Sequence, residues 1–299
     1  MPSAKTEERH DNAKGLDLMH PALALRLLAS GQQAAAKAVD AAIESIAAAA
    51  SLAAESLASR RRLAYAGAGS SGLMAMADAL ELPGTYGIPQ DQIVVLLAGG
   101  TASLSDLAGG YEDDMDLARN DVRKAGIGAG DCLVSVSASG STPYALAAAD
   151  EARKLGAKVI AVANNPGAAL FKDADVSILL QTPPEVVSGS TRMGAGTAQK
   201  IAFNMFSTLV GIQLGHVLDG HMVNLRAQYQ AARPRNPHRY RHYRHRRWRG
   251  RPADQHGLRL GQGRNPSRLW REGRCGRGGG TERGQTEPAP GDRYRHGLT

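Results

Sequence analysis

Two short loops in this 299-residue chain gather the residue types that bind anions. The first is Gly67-Ala68-Gly69-Ser70-Ser71-Gly72, and the second is Ser137-Ala138-Ser139-Gly140-Ser141-Thr142-Pro143. Each follows an apolar run and precedes a helical pattern, with Pro143 suited to a first helical turn. Glycines such as Gly72 let the backbone approach a ligand closely. The hydroxyls of Ser70, Ser71, Ser137, Ser139 and Thr142, with free N–H groups at a helix N-terminus, then donate to an anion, most naturally a phosphate. One such loop reads equally well as a helix cap, but two in the same sheet point to a ligand. The spacing Gly67-x-Gly69-x-x-Gly72 also fits a dinucleotide fingerprint. However, the next strand ends in Ala98-Gly99-Gly100, with no acidic residue for a ribose. The pair of loops therefore favours a monophosphate, and no cofactor or metal is expected.

The elements that must hold these loops alternate. Strand-like runs fall at 62–66, 93–97, 132–137, 158–163 and 176–180, and helical patterns at 72–82, 112–125, 143–155 and 195–217. That alternation predicts an α/β fold, a doubly wound five-stranded parallel sheet flanked by helices, with ligands beyond the carboxyl ends of its strands. An Ala-rich helical segment, 21–28 and then about 32–59, precedes it. Residues 1–60 thus read as an N-terminal helical segment, 61–228 as the binding domain, and 229–299 as a tail.

The net charge of +8 belongs to that tail alone. Residues 1–228 hold 18 Lys and Arg against 23 acids, a net of −5, whereas 229–299 hold 18 Arg against 5 acids, a net of +13. A whole-chain case for nucleic-acid binding fails there, although the run Tyr240–Trp248 interleaves basic and aromatic residues like a nucleic-acid arm. The two cysteines, Cys132 and Cys275, offer neither a disulfide framework nor metal-ligand spacing. No apolar signal follows the first charges, and the most apolar stretches are short or broken by acids, so a cytoplasmic protein without membrane spans is expected.

Around the same loops the chain resembles a known family. The strand–loop–helix pairs look like a sugar isomerase (SIS) domain, and the fuller match is to the N-acetylmuramic acid 6-phosphate etherases. It runs from Thr6-Glu7-Glu8-Arg9 and Leu16-Asp17-Leu18 through Asp78-Ala79-Leu80-Glu81-Leu82-Pro83-Gly84-Thr85-Tyr86-Gly87, Gly110-Tyr111-Glu112-Asp113-Asp114 and the second loop. It continues into Pro184-Glu185-Val186, Gly189-Ser190-Thr191-Arg192, Ala195-Gly196-Thr197-Ala198-Gln199-Lys200 and Met222-Val223. The resemblance implies a SIS-type sheet and cleavage of the ether between C3 of the phosphosugar and D-lactate, by metal-free elimination and water addition. Such chemistry needs a base for the C2 proton and an acid for the departing oxygen. The resemblance makes Glu112 the base and Glu81 the acid, with Glu185, Ser190, Thr191, Arg192 and Lys200 among the substrate contacts. Arg192 and Lys200 are the candidate cations for phosphate or carboxylate, although a mid-helix Lys200 reads equally as a surface charge. It also implies a homodimer built through the N-terminal helices and the 195–217 helix. A non-catalytic phosphosugar regulator and a SIS-type isomerase are the alternatives, both likewise binding a phosphorylated amino sugar.

Two departures bear on the ligand. Leu73 and Ser141 stand where the family usually carries Arg, which removes two cations from the expected phosphate region. After Ala227 the family pattern stops. Permitted codons for 228–245, read one base forward, spell Asn-Ile-Lys-Leu-Arg-Asp-Arg-Ala-Thr-Arg-Ile-Val-Thr-Asp-Ile-Thr-Gly-Ile, a peptide with helical apolar spacing. Residues 229–299 therefore read as a frameshifted, disordered tail without a packed core, in place of a small helical domain.

Overall fold

A computed structural model describes residues 6, 8–105 and 110–224. The expectations for the tail at 229–299, for Cys275 and for Glu7 lie outside those residues.

Five strands form one parallel sheet: β1 (Leu63–Gly67), β2 (Ile93–Leu97), β3 (Cys132–Ser137), β4 (Lys158–Ala163) and β5 (Val176–Leu179). Their order is β2-β1-β3-β4-β5, with Leu63 level with both Ile93 and Cys132. The strands are near-continuous apolar runs because helices cover both faces. Alternate residues feed two cores. Leu63, Tyr65, Val134, Val136, Ile160 and Val162 face one, which they share with Ile46, Phe203 and Phe206. Ala64, Ala66, Leu133, Val159 and Ala161 face the other, with Tyr144, Ala148 and Val122. The first core is built by α2 (Ile43–Ala58), α3 (Gly69–Tyr86) and α6 (Gly194–Gln213), the second by α4 (Met115–Lys124) and α5 (Pro143–Lys154). An ion pair pins the start of β3: Asp131 accepts from the Arg62 backbone N–H at 2.9 Å, its guanidinium at 2.7 Å and Gly128 N–H at 3.0 Å.

Several boundaries differ from the sequence expectation. The N-terminal helix α1 runs unbroken over Pro21–Ala36, and a 3-10 segment, Lys37–Ala42, joins it to α2. Together Pro21–Ala58 is long and apolar enough to cross a membrane by length and composition. Within this fold α2 packs Ile46, Ala49, Ala50 and Ala53 into the first core.

Helix α3 does not stop before Pro83. It continues to Tyr86, and Gly87 at φ 67° ends it. A mid-helix proline forfeits one backbone hydrogen bond, but tertiary anchors hold the last turn. Leu82 is buried, the Tyr86 hydroxyl donates to Thr208 at 2.8 Å, and its ring rests so closely on Gly211 that a Cβ there would lie 2.7 Å away. Glu81 is therefore inside a helix rather than at its carboxyl end. Glu112 likewise does not open a helix. It lies on a 3-10 turn, Gly110–Asp113, and α4 begins at Met115 with Asp114 as its cap, accepting from Leu117 N–H at 2.8 Å. Helix α6 ends at Gln213, short of the expected 217, and a two-stranded hairpin, β6 (Val217–Leu218) with β7 (His221–Met222), follows it.

Candidate active site

On either side of β1 the chain order reverses, so the loops after β1 and β3 diverge and leave a crevice at the carboxyl ends of those strands. A polar cleft of about 370 Å³ occupies it. Ala68–Ser71 form one side, Ala138, Ser139 and Ser141–Pro143 another, with Glu112, Asp113, Gly189 and Thr191 around the rim.

The second loop is a hydroxyl network. Ser137 Oγ lies 2.7 Å from Thr142 Oγ1 and 3.2 Å from Ser139 Oγ, and it accepts from Gly140 N–H at 3.0 Å. Ser139 Oγ in turn accepts from Ser141 N–H at 3.2 Å and from its hydroxyl at 3.0 Å. Ser137 itself is buried beneath the cleft and orients the hydroxyls above it. Gly140 sits at φ 73° with its Cα against Ala168, where a Cβ would come within 2.3 Å of the alanine methyl, so the turn requires glycine. The loop opens directly into α5, with Pro143 at its first turn, and places hydroxyls and a helix N-terminus at one point. Such an arrangement binds an anion without a cation.

The first loop opens directly into α3, whose first residue, Gly69, has φ 52°. Ser70 and Ser71 line the cleft, but Gly72 lies under it, its N–H given to Ala68 O at 2.9 Å. A Cβ on Gly72 would stand 2.6 Å from Leu97 Cδ1 and 2.8 Å from Gly67 C. This glycine brings α3 down onto β1 and presents no free donor. Glu112 leans over the same end of α3: a Cβ at position 69 would be 4.0 Å from its Oε2.

Of the other residues the resemblance singled out, Thr191 lines the cleft, with exposed Arg192 and partly exposed Ser190 next to it. Glu185 is 5% exposed, and both its oxygens are occupied by the N-terminus of α6, Gly194 N–H at 2.9 Å and Ala195 N–H at 2.8 Å. Its carboxylate caps a helix. Glu81 and Lys200 do not line the cleft. They stand on α3 and α6 near Asp78, a buried carboxylate that accepts from Tyr65 at 2.9 Å and Ser207 at 2.8 Å. Burial, with a smaller push from Glu81, outweighs the two hydrogen bonds and Lys200, so the Asp78 carboxyl is raised to about 6.

Residues without an assigned role in the sequence prove to matter here. Asp78, Asp113 and Thr6 lie within the family motifs, whereas Asn165, two residues past the end of β4, lies in none of them. Among the described residues no three His, Cys, Asp or Glu side chains stand together as a metal site.

A family model described as the SIS domain matches residues 28–164. An N-acetylmuramic acid 6-phosphate etherase from Deinococcus radiodurans is 42% identical over 223 residues, covering 75% of this chain and 73% of its own. This chain belongs to the N-acetylmuramic acid 6-phosphate etherase family. Another such etherase, from Symbiobacterium thermophilum, is 41% identical over 230 residues, 77% of this chain and 76% of that one. A solved structure from Bacteroides fragilis, provisionally described as a phosphosugar isomerase involved in capsule formation, superposes with a TM-score of 0.50 at 21% identity. It covers 66% of this chain and 94% of that one, a likeness of fold alone. In this etherase-family cleft, then, Glu112 and the hydroxyl loop line one space.

Proposed function

We propose that this chain is an N-acetylmuramic acid 6-phosphate etherase, a carbon–oxygen lyase that releases D-lactate and leaves N-acetylglucosamine 6-phosphate. The observation that carries the reading is Glu112, a carboxylate that lines the same cleft as the hydroxyl loop and has no hydrogen-bond or ion-pair partner among the described residues. The phosphate binds Ser139, Thr142 and the N-terminal end of α5. That leaves the sugar carbons under Glu112. In the open-chain sugar the C1 aldehyde acidifies the C2 proton. Glu112 takes that proton, the C3–O bond breaks with its electron pair leaving on lactate oxygen, and C2=C3 forms. A proton delivered to the lactate oxygen completes elimination, and water then adds across C2=C3, its hydroxyl to C3 and a proton to C2.

The acid in this reading is Glu81, which is exposed on α3 beside exposed Leu80. Because it does not line the cleft of its own chain, the homodimer supplies it from the second copy. The large apolar side chains left exposed on the N-terminal segment and α6, Leu23 at 56%, Leu25 at 65% and Ile212 at 48%, support an interface there. The protein works on a phosphorylated amino sugar in the cytoplasm.

Incubation with N-acetylmuramic acid 6-phosphate in deuterated water tests the assignment. Lactate release separates the etherase from an isomerase or a regulator. Glu112→Gln loses both lactate and C2 proton exchange, and Glu81→Gln loses lactate while retaining exchange. Full activity in either variant removes that residue from the mechanism.

A further inference from the structure

Thr6 lies far from the cleft in sequence but is 2% exposed in the fold. Its carbonyl accepts from Gly189 N–H at 3.1 Å, and its hydroxyl accepts from Asn165 Nδ2 at 3.2 Å. Asn165, 5% exposed just beyond the end of β4, also donates to Ala138 O at 3.0 Å and reaches Ser139 O at 3.5 Å. Gly189 and Thr191 line one part of the cleft, Ala138 and Ser139 another. A single buried amide thus joins the hydroxyl loop to the segment that holds the Gly189–Thr191 wall.

The wall needs such a hold. It lacks regular structure, and Gly189 has φ 74°. Its far end is fixed to α6, where Gly196 N–H donates to Thr191 O at 2.8 Å and Glu185 caps the helix. Its near end is fixed by Thr6. Within the Asn165 amide the acceptor Oδ1 is buried without a hydrogen-bond partner among the described residues. Leaving a buried acceptor idle costs stability, so this amide is placed for what its N–H groups hold.

We infer that Thr6 and Asn165 form a strap that sets the distance between the hydroxyl loop and the Gly189–Thr191 wall, and that both are positioning residues for the bound sugar phosphate. The inference rests on the etherase reading for its substrate. The geometry of the strap does not.

Two variants of the full chain decide it. Thr6→Val keeps the shape and removes the acceptor, and Thr6→Ser keeps the acceptor. With N-acetylmuramic acid 6-phosphate, Thr6→Val raises KM roughly five- to tenfold, the loss expected for one buried hydrogen bond. Its kcat stays within about twofold, its melting temperature falls by no more than about 4 °C, the shift that loss of about 1 kcal/mol gives in a domain of this size, and Thr6→Ser matches the parent. An unchanged KM in Thr6→Val overturns the strap. So does a KM, kcat and melting temperature that fall out of range together, or a Thr6→Ser variant that behaves like Thr6→Val. Amide exchange gives a readout without catalysis: Thr6→Val speeds exchange over 187–191 and leaves β1 unchanged. If the parent protein releases no lactate, the etherase reading fails, and the exchange result alone judges the strap. Faster exchange supports it, and unchanged exchange overturns it.

Discussion

The ring of Tyr111 closes on Gly99 so tightly that a Cβ at position 99 would stand 2.4 Å from the ring's Cδ2. Gly99 also has φ 77°, a conformation that resists any side chain. The two residues belong to the stretches that leave β2 and enter the turn bearing Glu112. Their contact seats the turn, and the turn places the carboxylate over α3.

Gly99→Ala therefore displaces Tyr111 and drags Glu112 with it. A shift of about 1 Å in a catalytic group costs on the order of 100-fold in rate. Lactate release falls by that order, well beyond the loss from a left-handed alanine, about 1–2 kcal/mol of stability. Tyr111→Ala, which frees the turn without pushing it, falls less. Paired melting curves and rates test this: equal losses of rate and stability would argue against a seating role.

The cleft holds two acids, Glu112 and Asp113, among its lining residues and no Lys or Arg. Ser141 lines it at the tip of the hydroxyl loop, where the family usually carries Arg. Ser141→Arg adds a charge-assisted hydrogen bond to the phosphate, and KM falls roughly tenfold, the ratio that about 1.5 kcal/mol supplies. The kcat changes little, because the contact is equal in ground and transition states. An unchanged KM would place the phosphate elsewhere.

Asp78 predicts a pH effect of definite sign. Its folded carboxyl titrates at about 6 against an ordinary 3.8. The folded protein therefore holds its proton more tightly than the unfolded chain. The contribution is full below about pH 4 and is lost as pH rises to about 6, a total of about 3 kcal/mol. Asp131, Asp150 and Asp175 work in the opposite sense, because hydrogen bonds and cationic partners hold their carboxyls low. The difference between the parent and Asp78→Asn isolates this contribution. Asp78→Asn gains relative stability across pH 4–6 and tracks the parent above it. Parallel melting-temperature curves throughout would show that Asp78 ionises normally.

Much of this protein is written locally. The apolar runs of β2, β3 and β4 start and stop at the residues the sequence indicates, since hydrophobic period and flanking glycines act over a few positions. The hydroxyl loop after β3 is legible for the same reason, and so is Pro143 at the first turn of α5. The family match gave Glu112, and the cleft contains it. Other features depend on which distant surfaces meet. Pro83 marks a helix end by its own chemistry, yet the packing of Tyr86 on Gly211 carries α3 past it. Glu185 looks like a ligand until the N-terminus of α6 takes both its oxygens. Gly72 looks like a phosphate donor until α3 is brought onto β1. Nothing near Thr6 in sequence points to Asn165 or Gly189, because a hydrogen bond spanning 159 residues is set by the closed fold and not by spacing. Local composition determined the sheet and one wall of the cleft; the meeting of remote segments decided how that cleft is closed.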